Sequence, residues 1–252
     1  MIFDLISHKF QFKFKDRVAA ADVLGESLKD RVKKVEEQKT AVVLGIPRGG
    51  VITADIVAKK FSTLFFDIIV PRKLTDPDNK EQAIGAIMED GTTYIDLQLI
   101  NDLQISSEYL EKEKLEQIQE IKRRIALYRN NEPTRKGFSS SSSSSSFLKD
   151  KTVILVDDGA ATGATIIAAA RWIRKLENKP KRLIIAIPVA PKSTVNLLRK
   201  ECNTEVEVVI SPSSTFHSVE QYHQNFQQIP DEQVIKIMKD RNLLPPSSTT
   251  PS

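Results

Sequence analysis

The sequence predicts an α/β protein with a central parallel sheet flanked by helices. Short β-branched runs alternate with segments of helical period, and two of those runs feed straight into glycine-rich turns. With 252 residues, 40% apolar and 28% charged, the chain is long enough for one large domain with a buried core.

The elements follow in order. Residues 15–38 carry Val18, Ala21, Leu24, Leu28 and Val32 at helical spacing. AVVLGI (41–46) is a buried strand entering the tight turn PRGG, VITADIVAKKF (51–61) is a helix, and LFFDIIV (64–70) is a second strand. The polar, proline-containing stretch 71–82 is expected as a long loop. Residues 83–96 form a hairpin flap with its turn at Asp90-Gly91. Ser106 or Ser107 caps a long inserted helix to about Arg129, its stripe being Leu115, Ile118, Ile121, Ile125 and Tyr128. Eight consecutive serines (139–146) cannot bury a core and are expected as a loop. The alternation then resumes: strand 152–156, helix 163–176, strand 182–189, helix 191–200, strand 205–210, and a short helix from Asp231.

Composition narrows the function classes. The net charge is +4, from 37 basic and 33 acidic residues. The two signs are interspersed, aromatics are few, and no RNA-reading motif is present, which argues against a nucleic-acid partner. No apolar run reaches membrane-spanning length, and the N-terminus has an aspartate inside its apolar run and no small-residue cleavage site, so neither a membrane partner nor a signal peptide is expected. A single cysteine, Cys202, excludes an internal disulfide framework and fits a reducing cytoplasm. His8, His217 and His223 show no metal-ligand spacing with it.

The informative stretch is VILVDDGAATGAT, at 153–165. A parallel strand ending in polar residues and followed by a helix is where open α/β sheets bind ligands. Gly159 and Gly163 permit close backbone approach, Ala160, Ala161 and Ala164 leave N–H groups uncovered, and Thr162 and Thr165 add hydroxyls. A helix starting here points free N–H groups and its positive end at the loop, an arrangement suited to a phosphate and worth about 0.3–2 kcal/mol from the dipole. Asp157 and Asp158 ask for something else. Adjacent carboxylates repel, and become sensible beside ribose hydroxyls or a divalent cation. The bland alternative, a turn with threonine caps, explains a lone DDG but not the whole string. The lysine of GxxxxGK[ST] is missing after Gly163, and GxGxxG is absent.

These residues resemble the phosphoribosyl-pyrophosphate (PRPP) motif of type I phosphoribosyltransferases. The similarity extends over about 40–212, and more loosely to the FHSVEQYHQNF tail, in a group whose acceptor is generally unassigned. The resemblance implies transfer of 5-phosphoribosyl from PRPP to a nitrogen base, with Asp157 and Asp158 holding the ribose hydroxyls and assisting Mg²⁺. It implies 5′-phosphate binding by 161–165 within the loop 157–165. It implies a pyrophosphate loop at Arg48, Gly49 and Gly50, often with a cis or strained peptide. In PRKLTDPDNK (71–80) it implies a mobile loop, with Arg72 and Lys73 on the leaving group and Lys80 and Glu81 as weaker candidates. Members specific for 6-oxopurines carry an acidic residue where Ala161 stands, so alanine weighs against hypoxanthine or guanine. No general base is evident. The resemblance further implies a homodimer and a small hood built from the N-terminal arm, the C-terminal tail or both. The expected organisation is a helical arm (1–38), a core (39–212) and a hood or tail (213–252). A non-catalytic PRPP-binding regulator with this fold is the alternative.

Overall fold

The computed structural model describes residues 12–63, 65–129, 148–213 and 216–242. The polyserine run, His8 and the last ten residues lie outside them.

Five parallel strands form the sheet, in the order β2-β1-β6-β7-β8. They are β1 (Val42–Gly45), β2 (Phe66–Ile68), β6 (Thr152–Val156), β7 (Arg182–Val189) and β8 (Glu205–Ile210). A separate antiparallel sheet joins β3 (Arg72–Thr75), β4 (Ala83–Ile87) and β5 (Thr93–Ile95), with β4 in the middle. The first three helices are α1 (Arg17–Arg31), α2 (Val35–Thr40) and α3 (Gly49–Lys60). Beyond β5 come α4 (Leu97–Asp102) and α5 (Ser107–Tyr128), and the chain continues through α6 (Ala164–Lys175), α7 (Lys192–Cys202) and α8 (Asp231–Asn242).

Side-chain alternation along the central strands splits the core in two. Val153 and Leu155 of β6 pack with Ile167 and Ile173 of α6 and Leu198 of α7. Ile154 and Val156 face the other way, with Leu24 and Leu28 of α1 and Val57 of α3. Both faces of β6 are buried, which is why TVILV reads as an unbroken apolar run. Each such fully buried aliphatic side chain contributes about 1.5–3 kcal/mol.

Several boundaries differ from expectation for local reasons. The predicted helix over 15–38 is two helices, the first capped by Asp16, whose carboxylate accepts from the Ala19 N–H at 2.9 Å. Val18 is exposed, while Ala21, Leu24, Leu28 and Val32 are buried. The stretch expected as a loop over 71–82 begins as strand β3, paired antiparallel with β4. Its four residues contain one apolar side chain, so only the partner strand reveals it. Ser106 caps α5 by accepting from the Tyr109 N–H at 3.1 Å. Ile121 and Tyr128 are buried as the stripe predicts, but Leu115 faces solvent.

The C-terminal helix is fastened by charge. Arg241 of α8 donates to the Asp55 carboxylate of α3 at 2.7 Å, with both side chains nearly buried, while Lys59 reaches the same carboxylate from solvent. Removing one partner of a buried pair costs about 3–5 kcal/mol, and an exposed partner about 0–1 kcal/mol. Arg241→Ala is therefore expected to lose about 3 kcal/mol in urea unfolding, and Lys59→Ala no more than about 1 kcal/mol. Equal losses would show that the buried pair is not what holds α8.

Candidate active site

Two turns meet at the carboxyl ends of the adjacent strands β1 and β6, which run in register from Val42↔Val153 to Gly45↔Val156. The first is the PRGG turn. Its Pro47–Arg48 peptide is cis, and α3 begins directly at Gly49 rather than two residues later. The second is the DDGAATG loop, which ends at Gly163 in the left-handed conformation (φ 77) as the N-cap of α6.

The glycines are required by proximity. A Cβ on Gly49 would collide with the Asp158 carboxylate, and one on Gly50 would stand 2.8 Å from both Cα and Oδ1 of Asp157. The start of α3 thus rests on the two aspartates. That helix has no acidic residue in its own first turn and no side-chain cap, so the carboxylates from β6 face its positive end.

The DDGAATG loop is held from beneath. The Asp157 N–H donates to the Ala186 carbonyl at 3.3 Å, and the Ala160 N–H to the Val189 carbonyl at 2.9 Å. Thr194 of α7 donates its hydroxyl to the Ala161 carbonyl. Ala161 and Thr162 remain exposed on top; the N-cap Gly163 offers α6 no side chain, and only a long hydrogen bond of 3.5 Å runs from the Ala164 N–H to the Thr162 hydroxyl.

Asp157 and Asp158 differ in their surroundings. Burial first, and the neighbouring Asp158 charge second, push the Asp157 carboxyl well above the ordinary carboxylate range. The Asp158 N–H, donating to Asp157 Oδ1 at 2.8 Å, and the Lys73 charge oppose this. Asp158 has its own cation: Arg17 Nε donates to Oδ2 at 2.6 Å, with both side chains largely buried. The Arg17 guanidinium also lies 3.6 Å from the centre of the Phe226 ring and donates to the Gln227 carbonyl.

Arg17 reaches this position because residues 14 and 15 pair with residues 222–225. The Phe14 N–H donates to the Tyr222 carbonyl, and the N–H groups of Gln224 and Asn225 donate to the carbonyls of Phe14 and Lys15. His223 is buried between Phe14 and Phe226, with ring centres 5.6 and 4.7 Å away. Burial pushes its pKa below the usual value. Its Nδ1 faces the Val219 carbonyl at 3.1 Å, and Nε2 has no hydrogen-bond partner among the described residues. Val219 packs so closely on Gly159 that a Cβ there would overlap it.

The basic candidates separate. On β3, Lys73 is exposed and its charge is felt at Asp157, whereas Arg72 turns to α5 and donates to Gln117 at 3.0 Å. Burial, then the charge of Arg124, lower the Arg72 pKa. Arg48 lies 3.7 Å from Asp231, which also accepts from the Tyr128 hydroxyl at 2.7 Å. Lys80 donates to the Tyr109 hydroxyl, and Glu81 is exposed. Cys202 is buried, its thiol pushed up to about 12. Sequence reasoning missed Arg17 and Thr194. Neither stands in a motif, and only the folded chain brings them to the loop.

Fold and site together define an open α/β protein with its polar turns gathered over the carboxyl ends of the strands. The phosphoribosyl transferase domain model matches residues 13–226, and the chain belongs to that family. A Mycobacterium tuberculosis protein with a provisional phosphoribosyl transferase name is 32% identical over 200 residues, in strains CDC 1551 / Oshkosh and H37Rv alike. The match covers 79% of this chain and 42% of that relative, so the chain spans about two fifths of the length of the curated relatives it matches. The crystal structure of TT1426 from Thermus thermophilus is similar over 91% of this chain and 99% of that one, with a TM-score of 0.66 and 31% identity.

The Asp157 environment makes a pH prediction. A carboxyl whose pKa is raised on folding contributes stability that is fully present below its unfolded value, ordinarily 3.8, and lost as pH rises through the raised folded value. Each unit of upward displacement is about 1.4 kcal/mol. Asp157→Asn is therefore expected to gain stability over wild type as pH rises above 4. Urea unfolding at pH 4 and pH 8 measures this. A wild-type-to-variant difference that does not change with pH would show the carboxyl to be unperturbed.

Proposed function

We propose that the chain transfers the 5-phosphoribosyl group from PRPP to a nitrogen acceptor, a nucleobase by family resemblance, with release of pyrophosphate. One observation supports this most: the carboxylates of Asp157 and Asp158 lie directly against the Gly49–Gly50 start of α3, and the loop they open ends at Gly163, the N-cap of α6, which has no side chain of its own. The starts of two helices thus offer backbone N–H groups to phosphates, and the loop between them carries a pair of hydroxyl acceptors.

In this reading residues 161–165 bind the 5′-phosphate through backbone N–H groups at the positive end of α6. Asp157 and Asp158 accept hydrogen bonds from the ribose hydroxyls, and their negative charge favours the oxocarbenium-like transition state. Arg48, Gly49 and Gly50 hold the departing pyrophosphate, with Lys73 adding charge from the hairpin. Positioning and fixed electrostatics carry the rate gain. Arg72, the other candidate for the leaving group, would have to exchange its hydrogen bond to Gln117 for that contact.

Mg²⁺ fits the donor set. Among the described residues no group of three or more His, Cys, Asp or Glu side chains gathers at one place. Two adjacent carboxylates alone suit an ion that keeps several waters and takes its other oxygens from substrate phosphates. Bound beside Asp157 and Asp158, it would supply positive charge to the diphosphate oxygens. The resemblance also carries a cytoplasmic homodimer into the proposal, which sedimentation of the purified chain tests for its stoichiometry. The alanine at 161 orders the acceptors, with adenine-like bases ahead of 6-oxopurines.

A second reading, a PRPP-binding regulator without turnover, is favoured by one contact. Arg17 already occupies Asp158, so a ligand's hydroxyls would have to share or displace that cation. Pyrophosphate release from PRPP and Mg²⁺ with purine, pyrimidine and other nitrogen acceptors separates the two. The transferase reading expects release that depends on one acceptor class and falls at least a hundredfold in Asp158→Ala. PRPP binding with no release under any acceptor would leave the regulator.

A further inference from the structure

At the opposite, amino-terminal edge of the sheet lies a groove of about 620 Å³ lined by Arg31, Arg174, Lys181, Arg182 and Arg199, with Glu205 the single carboxylate in its lining. We propose that this groove is a second anion site, distinct from the candidate active site, which binds a compact polyphosphate.

The pairing of the five cations carries the argument. Arg182 is spent on Glu205, with two hydrogen bonds of 2.7 Å, and also reaches Glu37 at 3.4 Å. Arg31 is spent on Glu207 at 2.6 Å. Among the described residues Arg174 pairs only with a backbone carbonyl, that of Asn203, at 2.7 Å. The side chains of Lys181 and Arg199 have no hydrogen bond or ion pair among the described residues. Five cations thus face three carboxylates, and a positive charge of two is left uncompensated. A lone surface lysine needs no partner, but like charges gathered in one concavity repel and focus the field there.

The lining also indicates what would fill it. Guanidinium forks match phosphate oxygens in pairs of hydrogen bonds, and Lys181 adds a point charge. Among the described residues, the apolar ones lining the groove are Leu183 and Val206, and none is aromatic. It therefore offers a ligand phosphate contacts but no stacking surface, unlike the grooves that hold single-stranded nucleic acid. The volume falls within the range of about 300–1,000 Å³ usual for small-molecule sites. The chemical class is two or three linked phosphates, alone or on a small organic group.

The groove does not belong to the ribose and phosphate loops. Those close over the carboxyl end of β6, whereas Lys181 and Arg182 stand at the start of β7, and Thr204 and Glu205 at the start of β8. The left-handed turn at Asn203 (φ 41) leads from α7 into β8 and carries the carbonyl that orients Arg174.

Calorimetric titration of the full chain with inorganic tripolyphosphate, at about 50 and 200 mM salt, tests the proposal. The comparison is wild type against the charge reversal Lys181→Glu/Arg199→Glu, which alters two exposed, unpaired side chains and threatens no buried contact. The expected result is a tripolyphosphate site present in wild type, weakened at least tenfold in the double variant and weakened by salt, while any tripolyphosphate or PRPP bound at the candidate active site is bound equally by the two proteins. Identical titrations would overturn the proposal. So would a single-stranded RNA of about 20 nucleotides binding more tightly than tripolyphosphate with the same dependence on Lys181 and Arg199, which would make the groove a nucleic-acid surface. Because the readout is binding in the groove, absence of transferase turnover would leave this result standing, and the two failures are distinguishable.

Discussion

The structure around the candidate site depends on how two adjacent carboxylates are accommodated at the end of β6. Neither is free in solvent: Asp157 lies beneath Gly50, and Asp158 against Gly49. Both therefore sit at the positive end of α3, an interaction worth about 0.3–2 kcal/mol and too small alone to hold a pair of like charges. Arg17 supplies a cation to Asp158, whereas the Lys73 charge only weakly opposes the burial that keeps the Asp157 carboxyl above the ordinary range. The glycines follow from this. A side chain at either position would displace the carboxylate and the compensation together.

The same requirement ties together two segments far apart in sequence. Arg17 reaches Asp158 because residues 14 and 15 pair with residues 222–225, and Phe226 covers the guanidinium. A cation over an aromatic face gains about 0.5–2 kcal/mol, more when shielded from water. The pairing thus fixes a charge at the site and shields it in one stroke. Residues more than 200 positions apart in sequence become neighbours of one aspartate.

Periodicity and turn chemistry made much of this legible beforehand, but only where the signal is local. TVILV and RLIIAIPV are buried on both faces, so their apolar runs coincide with the observed strands. The DDGAATG loop announces itself because its small residues, carboxylates and glycines are contiguous. Strand β3 does not, since R-K-L-T owes its extended form to β4. The start of α3 at Gly49 is likewise invisible locally: glycine is a poor helix former, and the carboxylates that favour this end lie over a hundred residues away. Arg17 and Thr194 were illegible for the same reason. Each acts through one contact made across the fold.

Strand alternation and helix direction organise what remains. Adjacent on β3, Arg72 and Lys73 must point to opposite faces, so the hairpin brings one cation to the aspartates and commits the other to Gln117. At the scale of the whole sheet, parallel strands require the helices that return between them to run the other way. α6 therefore starts at Gly163 beside the loop and carries Arg174 to the far edge, and α7 starts near Thr194 beneath Ala161 and carries Arg199 to the same place. α1 does likewise, from Arg17 at Asp158 to Arg31 in the groove. Twelve helical residues span about 18 Å, so the two ends of α6 are too far apart for direct charge interaction to survive screening at physiological salt. Anything felt at one edge from the other must pass through the packing of these three helices on the sheet.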